Sequence, residues 1–383
     1  MSAPVEAQQA DGYADTLREI LQQPATRQDT FDLLHGTLVQ QRLAKAIEPR
    51  PMHIVLTGSG SSMYIGECLA PMLQSGLGVP VQAIAAGTLL THWESVLPQG
   101  PGLLISLARS GDSPESGGVV NTLLAEAPQW RHLVITCNAD GKLATLYNND
   151  PRVTVLVLDE RTNDRSLVMT SSFTNLLLGG TALLQRTRDA MVEDAIDHAA
   201  SNVRRVFDMS SDSIIALAQR DIASVVYLGS GPAFGAAREG ALKMLEMTGG
   251  KVITMAETFL GLRHGPMSFI NPSTLIVALL SPKADVRRYE LDVLRELSRK
   301  QLGMAKLIVG ADVPPELIGE SDVYVDASFA TSNADVAAVL TDVVVTQLLA
   351  FFRCLQLGCK PDAPSKGVLT RVVEDFALHG ASP

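Results

Sequence analysis

Ten short, unbroken runs of apolar residues punctuate the chain, and apolar positions recur at helical spacing between them. The runs fall near residues 53–57, 80–84, 103–107, 132–137 and 153–158, then near 224–228, 252–255, 275–280, 306–310 and 322–326. Continuous rather than alternating runs suit strands buried on both faces of a parallel sheet. Their alternation with helical segments predicts βαβ units, hence an α/β fold in which each parallel sheet is flanked by helices in a three-layer sandwich. The pattern occurs twice. His53-Ile-Val-Leu-Thr-Gly-Ser-Gly60 returns as Val225-Val-Tyr-Leu-Gly-Ser-Gly231, and His132-Leu-Val-Ile-Thr-Cys-Asn138 as Lys306-Leu-Ile-Val-Gly-Ala-Asp312. An offset of about 170 residues is far too long for a solenoid and implies two similar domains. The expected division is a helical arm with one helix over 1–30, domains over 31–190 and 191–357, and a tail over 358–383. A helical segment from Met191 to Arg220 is expected to link the halves.

Two loops in the first half carry candidate chemistry. After the first strand comes Gly58-Ser-Gly-Ser-Ser62, and after the third comes Ala108-Arg-Ser-Gly-Asp-Ser113 followed by Pro114. Pro114 suits the first position of a helix and Ser113 its N-cap. A helix start offers unpaired backbone N–H groups and partial positive charge, and glycines such as Gly60 let a ligand approach the backbone. With the hydroxyls of Ser61, Ser62, Ser110 and Ser113, the two loops would suit a phosphate dianion. An ordinary capped helix would look similar. A dinucleotide fingerprint fits poorly because Met63 stands at its third glycine, and no Walker lysine follows the glycines. The second half has Ser281-Pro-Lys-Ala-Asp285 in place of the later serine loop, so one phosphate site is expected, in the first half.

The second half supplies a different set. Lys243 and Glu246 lie three apart on a predicted helix and share a face. That spacing also serves surface ion pairs. Here the flanking Ala241, Leu242, Met244, Leu245 and Met247 leave little room for a solvated face. A buried lysine–carboxylate pair has the perturbed proton affinities that acid–base chemistry uses. His264 stands in a loop bounded by Gly265 and Pro266. Together the loops and this set suit an enzyme working at the C1–C2 end of a sugar phosphate.

Composition narrows the partners. The net charge of −10 and pI near 5.2 argue against nucleic acid. Cys68, Cys137, Cys354 and Cys359 stand at irregular spacings, as expected of reduced cytoplasmic thiols. The seven histidines show no metal-ligand spacing, so neither metal nor cofactor is expected. No signal peptide opens the chain, and no apolar stretch reads as long and uninterrupted enough for a membrane.

Gly58-Ser-Gly-Ser-Ser62, Ala108-Arg-Ser-Gly-Asp-Ser113, Glu239-Gly-Ala-Leu-Lys243, Glu246 and His264-Gly-Pro266 together resemble the tandem sugar isomerase (SIS) family. That family includes the isomerase half of glucosamine-6-phosphate synthase. Ile135-Thr-Cys-Asn138, Met169-Thr-Ser-Ser172, Gly261-Leu-Arg-His-Gly-Pro266 and Pro361-Asp-Ala-Pro-Ser365 are most similar to the galactosamine-6-phosphate deaminase/isomerase group, often labelled tagatose-6-phosphate ketose/aldose isomerase.

The resemblance implies roles. Ser62, Ser110 and Ser113 match phosphate ligands, Arg109 stands where some members have glutamine, and Thr170 and Ser171 fall near a segment lining the sugar. Ala108 replaces a serine of the synthase. Glu246 matches the base that moves the C1/C2 proton, Lys243 its neighbour, and His264 a ring-opening histidine that the synthase takes from the adjacent subunit. Lys366 falls near the synthase's Schiff-base lysine, and a surface role suits it equally. A homodimer with a shared site follows by the same resemblance. No cysteine precedes Cys68 to act as a glutaminase nucleophile, so deamination is the expected direction. Plain aldose–ketose isomerisation, cleavage of a sugar-phosphate–amine adduct, and a sugar-phosphate sensor remain open.

Overall fold

The computed structural model describes residues 3–331, 333–365, 367–371 and 377–379, with backbone alone for 185–192. It contains two five-stranded parallel sheets. The first has strands β1 (His53–Thr57), β2 (Val81–Ala83), β3 (Gly102–Ala108), β4 (Arg131–Thr136) and β5 (Val153–Val157). The second has β6 (Ser224–Leu228), β7 (Ile253–Glu257), β8 (Thr274–Leu279), β9 (Ala305–Gly310) and β10 (Val323–Asp326). Every strand lies within two residues of its predicted bounds. The inner strands β3, β6 and β8 are buried along their whole length, which is why their centres are so apolar.

Both sheets share one topology. The spatial order is β2-β1-β3-β4-β5 in the first, and β7-β6-β8-β9-β10 in the second. In such sheets the chain turns in opposite directions after β1 and β3, and a crevice opens beyond their carboxyl ends. The two serine loops leave from those two ends. Thr57 pairs with Ser106 in the β1–β3 register, so the loops start side by side.

The chain separates into two compact units. One comprises Met1–Pro24, Ser166–Thr170 and Arg188–Ser365, and the other Ala25–Arg165, Ser171–Thr187 and Lys366–Pro383. The early part of the chain differs from the single helix expected there. It forms helices Val5–Asp11, Ala14–Leu21, Gln23–His35 and Thr37–Ile47. Thr16, Glu19, Gln23, Arg27 and Thr30 are buried despite their polarity. Hydrogen bonds make this tolerable: Gln23 donates to Gln347 at 2.7 Å, Thr30 to Asn175 at 2.7 Å, and Ser166 Oγ to Glu19 at 2.5 Å.

The connecting helix also begins earlier than expected, running Ser171–Arg205 before a π-turn at Val206–Ser210. The membrane reading needs correction as well. Helix Ala334–Gln356 is long and apolar enough to cross a bilayer, but 89% of its most apolar window is buried. It is a core helix, packed against helix Pro232–Met247.

Candidate active site

The first serine loop is built by close approach. A Cβ on Gly58 would meet Ser62 Cβ at 2.5 Å and the Leu107 carbonyl at 3.1 Å, so only glycine lets the loop press against the end of β3. Gly60 then takes φ 55°, ψ −127°, and helix Ser61–Leu77 starts. Ser61 and Ser62 are 4% and 6% exposed, in the first turn.

The second loop is braced from β4. Asn138 Nδ2 donates to the Ser110 carbonyl at 2.9 Å, the Lys142 N–H donates to Asp112 at 3.0 Å, and Gly111 turns the chain at φ 71°. Ser113 takes the predicted N-cap position of helix Pro114–Glu126, yet its hydroxyl does not cap. Ser113 Oγ pairs instead with Ser116 Oγ at 2.8 Å. No side chain caps this helix or helix Ser61–Leu77; in the latter the Ser62 and Met63 N–H groups donate to the Ser59 and Gly60 carbonyls at 3.2 and 3.0 Å. Arg109 is 9% exposed, and its Nη2 donates to the Arg371 carbonyl at 2.9 Å.

Thr170 and Ser171, expected near the sugar, are fully buried. Ser171 Oγ donates to Asp164, and Ser172 N–H to the same carboxylate at 2.8 Å. These bonds fasten the start of helix Ser171–Arg205 rather than form an open wall. Lys366 lies outside the described residues.

In the other unit, helix Pro232–Met247 follows β6. Gly240 lets it lie close to its supports, since a Cβ there would meet Tyr227 at 2.8 Å and Thr346 at 3.0 Å. Lys243 is fully buried on this helix. Its ammonium hydrogen-bonds Glu246 and stands 3.5 Å from Glu239. Glu239 is fully buried too, whereas the Glu246 side chain is 22% exposed. The result is a ladder at positions i, i+4 and i+7 whose outer rung alone meets solvent. Glu239 stands in the Glu239-Gly-Ala-Leu-Lys243 motif at the i, i+4 spacing that pairs it with Lys243.

His264 is exposed in the loop after helix Phe259–Leu262. Thr258 caps that helix by accepting from the Gly261 N–H at 3.0 Å, the His264 N–H donates to the Gly261 carbonyl at 2.9 Å, and Gly265 reverses the chain at φ 121°. The backbone around the imidazole is thus held while the ring is left accessible.

No protein-family model matches the chain. A Streptomyces coelicolor protein provisionally named D-galactosamine-6-phosphate deaminase AgaS is 37% identical over 390 residues, covering 96% of each chain. The D-galactosamine-6-phosphate deaminase AgaS of Escherichia coli O157:H7 is 33% identical over 353 residues, 91% of this chain and 90% of that one. A Clostridium novyi crystal structure, provisionally described as a tagatose-6-phosphate ketose/aldose isomerase, matches with a TM-score of 0.89 and 31% identity, covering 98% of this chain and 97% of the other.

Proposed function

The chain belongs to the D-galactosamine-6-phosphate deaminase (AgaS) family of tandem sugar isomerase proteins, and on that premise we propose that it converts galactosamine-6-phosphate to tagatose-6-phosphate and ammonia. The observation that carries the reading is the Glu239–Lys243–Glu246 ladder, a carboxylate at the surface held by a buried lysine. In the proposed course the serine loops hold the phosphate and His264 assists ring opening. Glu246 removes the C2 proton, leaving an enamine that carries the nitrogen. Return of the proton to C1 gives a C2 ketimine, and water hydrolyses it to ketose and ammonia. General acid–base catalysis of this kind is worth about 10²–10⁴-fold.

The site is proposed to be completed in a homodimer, with His264 serving the neighbouring chain. Leu245, Ile253 and Leu260 support this, being 44%, 63% and 48% exposed on the unit that carries Glu246 and His264. Mixing inactive His264→Ala and Glu246→Gln proteins should then restore activity; no recovery despite subunit exchange would assign each site to one chain. Action in the cytoplasm is proposed from the four free cysteines.

The function is tested by incubating the protein with galactosamine-6-phosphate, glucosamine-6-phosphate and tagatose-6-phosphate while measuring ammonia and ketose. Stoichiometric ammonia from galactosamine-6-phosphate is expected. Interconversion of tagatose-6-phosphate with an aldose phosphate, and no ammonia from either amine, would leave plain isomerisation.

A further inference from the structure

The core helix Ala334–Gln356 ends in a turn that brings two cysteines together. Gly358 takes φ 67°, its N–H donates to the Leu355 carbonyl at 3.0 Å, and the Cys359 N–H donates to the Cys354 carbonyl at 3.0 Å. This pair of bonds is the Schellman ending of a helix, and it sets the third residue from the end against the second residue beyond it. Here those residues are Cys354 and Cys359, joined by that backbone bond, and the Cys359 thiol donates to the Leu357 carbonyl at 3.9 Å. Cys354 is fully buried and Cys359 partly exposed. Burial, and after it the neighbouring Cys359, push the Cys354 thiol well above its ordinary range, so Cys354 stays protonated. Lys251 Nζ lies 3.3 Å from Cys359 Sγ and 3.4 Å from the Leu357 carbonyl. The ammonium is placed to donate to that sulfur. The reachable sulfur has the lysine, and the buried one has access only to its partner.

We propose that Cys359 is a peroxide-reactive thiol that Cys354 resolves into a disulfide across the helix end. The Cys359 thiolate attacks one oxygen of a hydroperoxide, the O–O bond breaks, and hydroxide or alkoxide leaves with the electron pair. The sulfur, oxidised by two electrons, becomes a sulfenic acid. The Cys354 sulfur then attacks it, the S–S bond forms, and the hydroxyl departs as water with the Cys354 proton. The turn leads directly into Asp362, whose carboxylate accepts from Thr16 N and Thr16 Oγ1 at 2.7 Å each. Oxidation therefore acts on the segment that ties the two ends of this unit together.

The test treats the whole protein with equimolar hydrogen peroxide, alkylates it after denaturation and maps the thiols by mass spectrometry. Cys354 and Cys359 should resist alkylation and appear in one linked peptide, Cys68 and Cys137 should be alkylated, and dithiothreitol should restore all four. In Cys354→Ser, Cys359 should stop at a sulfenic acid that dimedone labels. Lys251→Met should slow the oxidation several-fold and Lys251→Arg should restore it. Full alkylation of both cysteines after peroxide, or a link from Cys359 to Lys251 in place of Cys354, would overturn the proposal. The wild-type map decides it even where a variant fails to fold.

Discussion

The glycine loops after β1 and β6 have the same backbone and different contents. Gly60 and Gly231 share φ 55°, ψ −127°, and each opens a helix whose start no side chain caps. In the first sheet the following residues are Ser61 and Ser62, beside the serine loop that follows β3. In the second, Pro232 stands at the helix start and the loop after β8 closes on a carboxyl of its own. Glu290 Oε2 accepts the Ser281 N–H at 2.7 Å. Arg287 braces that loop by donating to the Ser281 and Pro282 carbonyls, at 3.0 Å each. A duplicated loop has thus kept its backbone and changed its side chains. One copy carries two buried serines at its helix start. In the other a carboxyl of the same domain holds the neighbouring loop, and the helix bears the Glu239–Lys243–Glu246 ladder.

The largest effect should come from the ladder. Glu246→Gln keeps the shape and cannot accept a proton, so turnover should fall about 10²-fold or more. A steady-state assay of ammonia release checks this, and a near-normal rate would reduce Glu246 to an ion-pair partner. The serine cradle should answer next. Ser110→Ala with Ser113→Ala removes hydrogen bonds to a charged group worth about 1.5–3 kcal/mol each. KM for the sugar phosphate should rise strongly with a smaller change in kcat, and an unchanged KM would remove these serines from the phosphate site.

The strands were legible because burial on both faces leaves an unbroken apolar run, and the duplication because its glycine loops repeat. Elsewhere the reading fell short. Helix Ser171–Arg205 begins twenty residues before the expected Met191, across Gly179 and Gly180. These glycines are contact points: a Cβ on Gly180 would meet Leu69 at 2.2 Å, and one on Gly179 would meet Ile135 at 2.8 Å. The burial of Thr16, Glu19 and Gln23 in the expected arm was not legible because their partners lie far along the chain, at Asp362, Ser166 and Gln347. The Glu290–Ser281 bond was hidden for a different reason, since a carboxylate on an amphipathic helix resembles any solvated one. Ser171, which falls near a segment expected to line the sugar, donates to Asp164, a partner that no local pattern announces.

The loop held by Glu290 sharpens the comparison through pH, with a smaller effect. Burial raises the Glu290 carboxyl from its ordinary 4.5 to about 7, and Asp342, fully buried beside it, is raised well above its range by burial and then by Glu290. The fold favours the protonated Glu290. Its contribution is therefore complete below about pH 4.5 and lost as pH rises through about 7. Glu290→Gln stays neutral, so wild type should lose thermal stability relative to this variant between about pH 5 and pH 8. Parallel melting curves at the two ends of that range would show no pH-dependent gap if the carboxyl were freely solvated.

The division of labour between the cradle and the ladder is tested most directly by calorimetric titration of tagatose-6-phosphate into two variants. The Glu246→Gln protein should bind it with nearly wild-type affinity, and the Ser110→Ala/Ser113→Ala protein should bind it far more weakly. Equal affinities in the two, or the reverse order, would contradict the account.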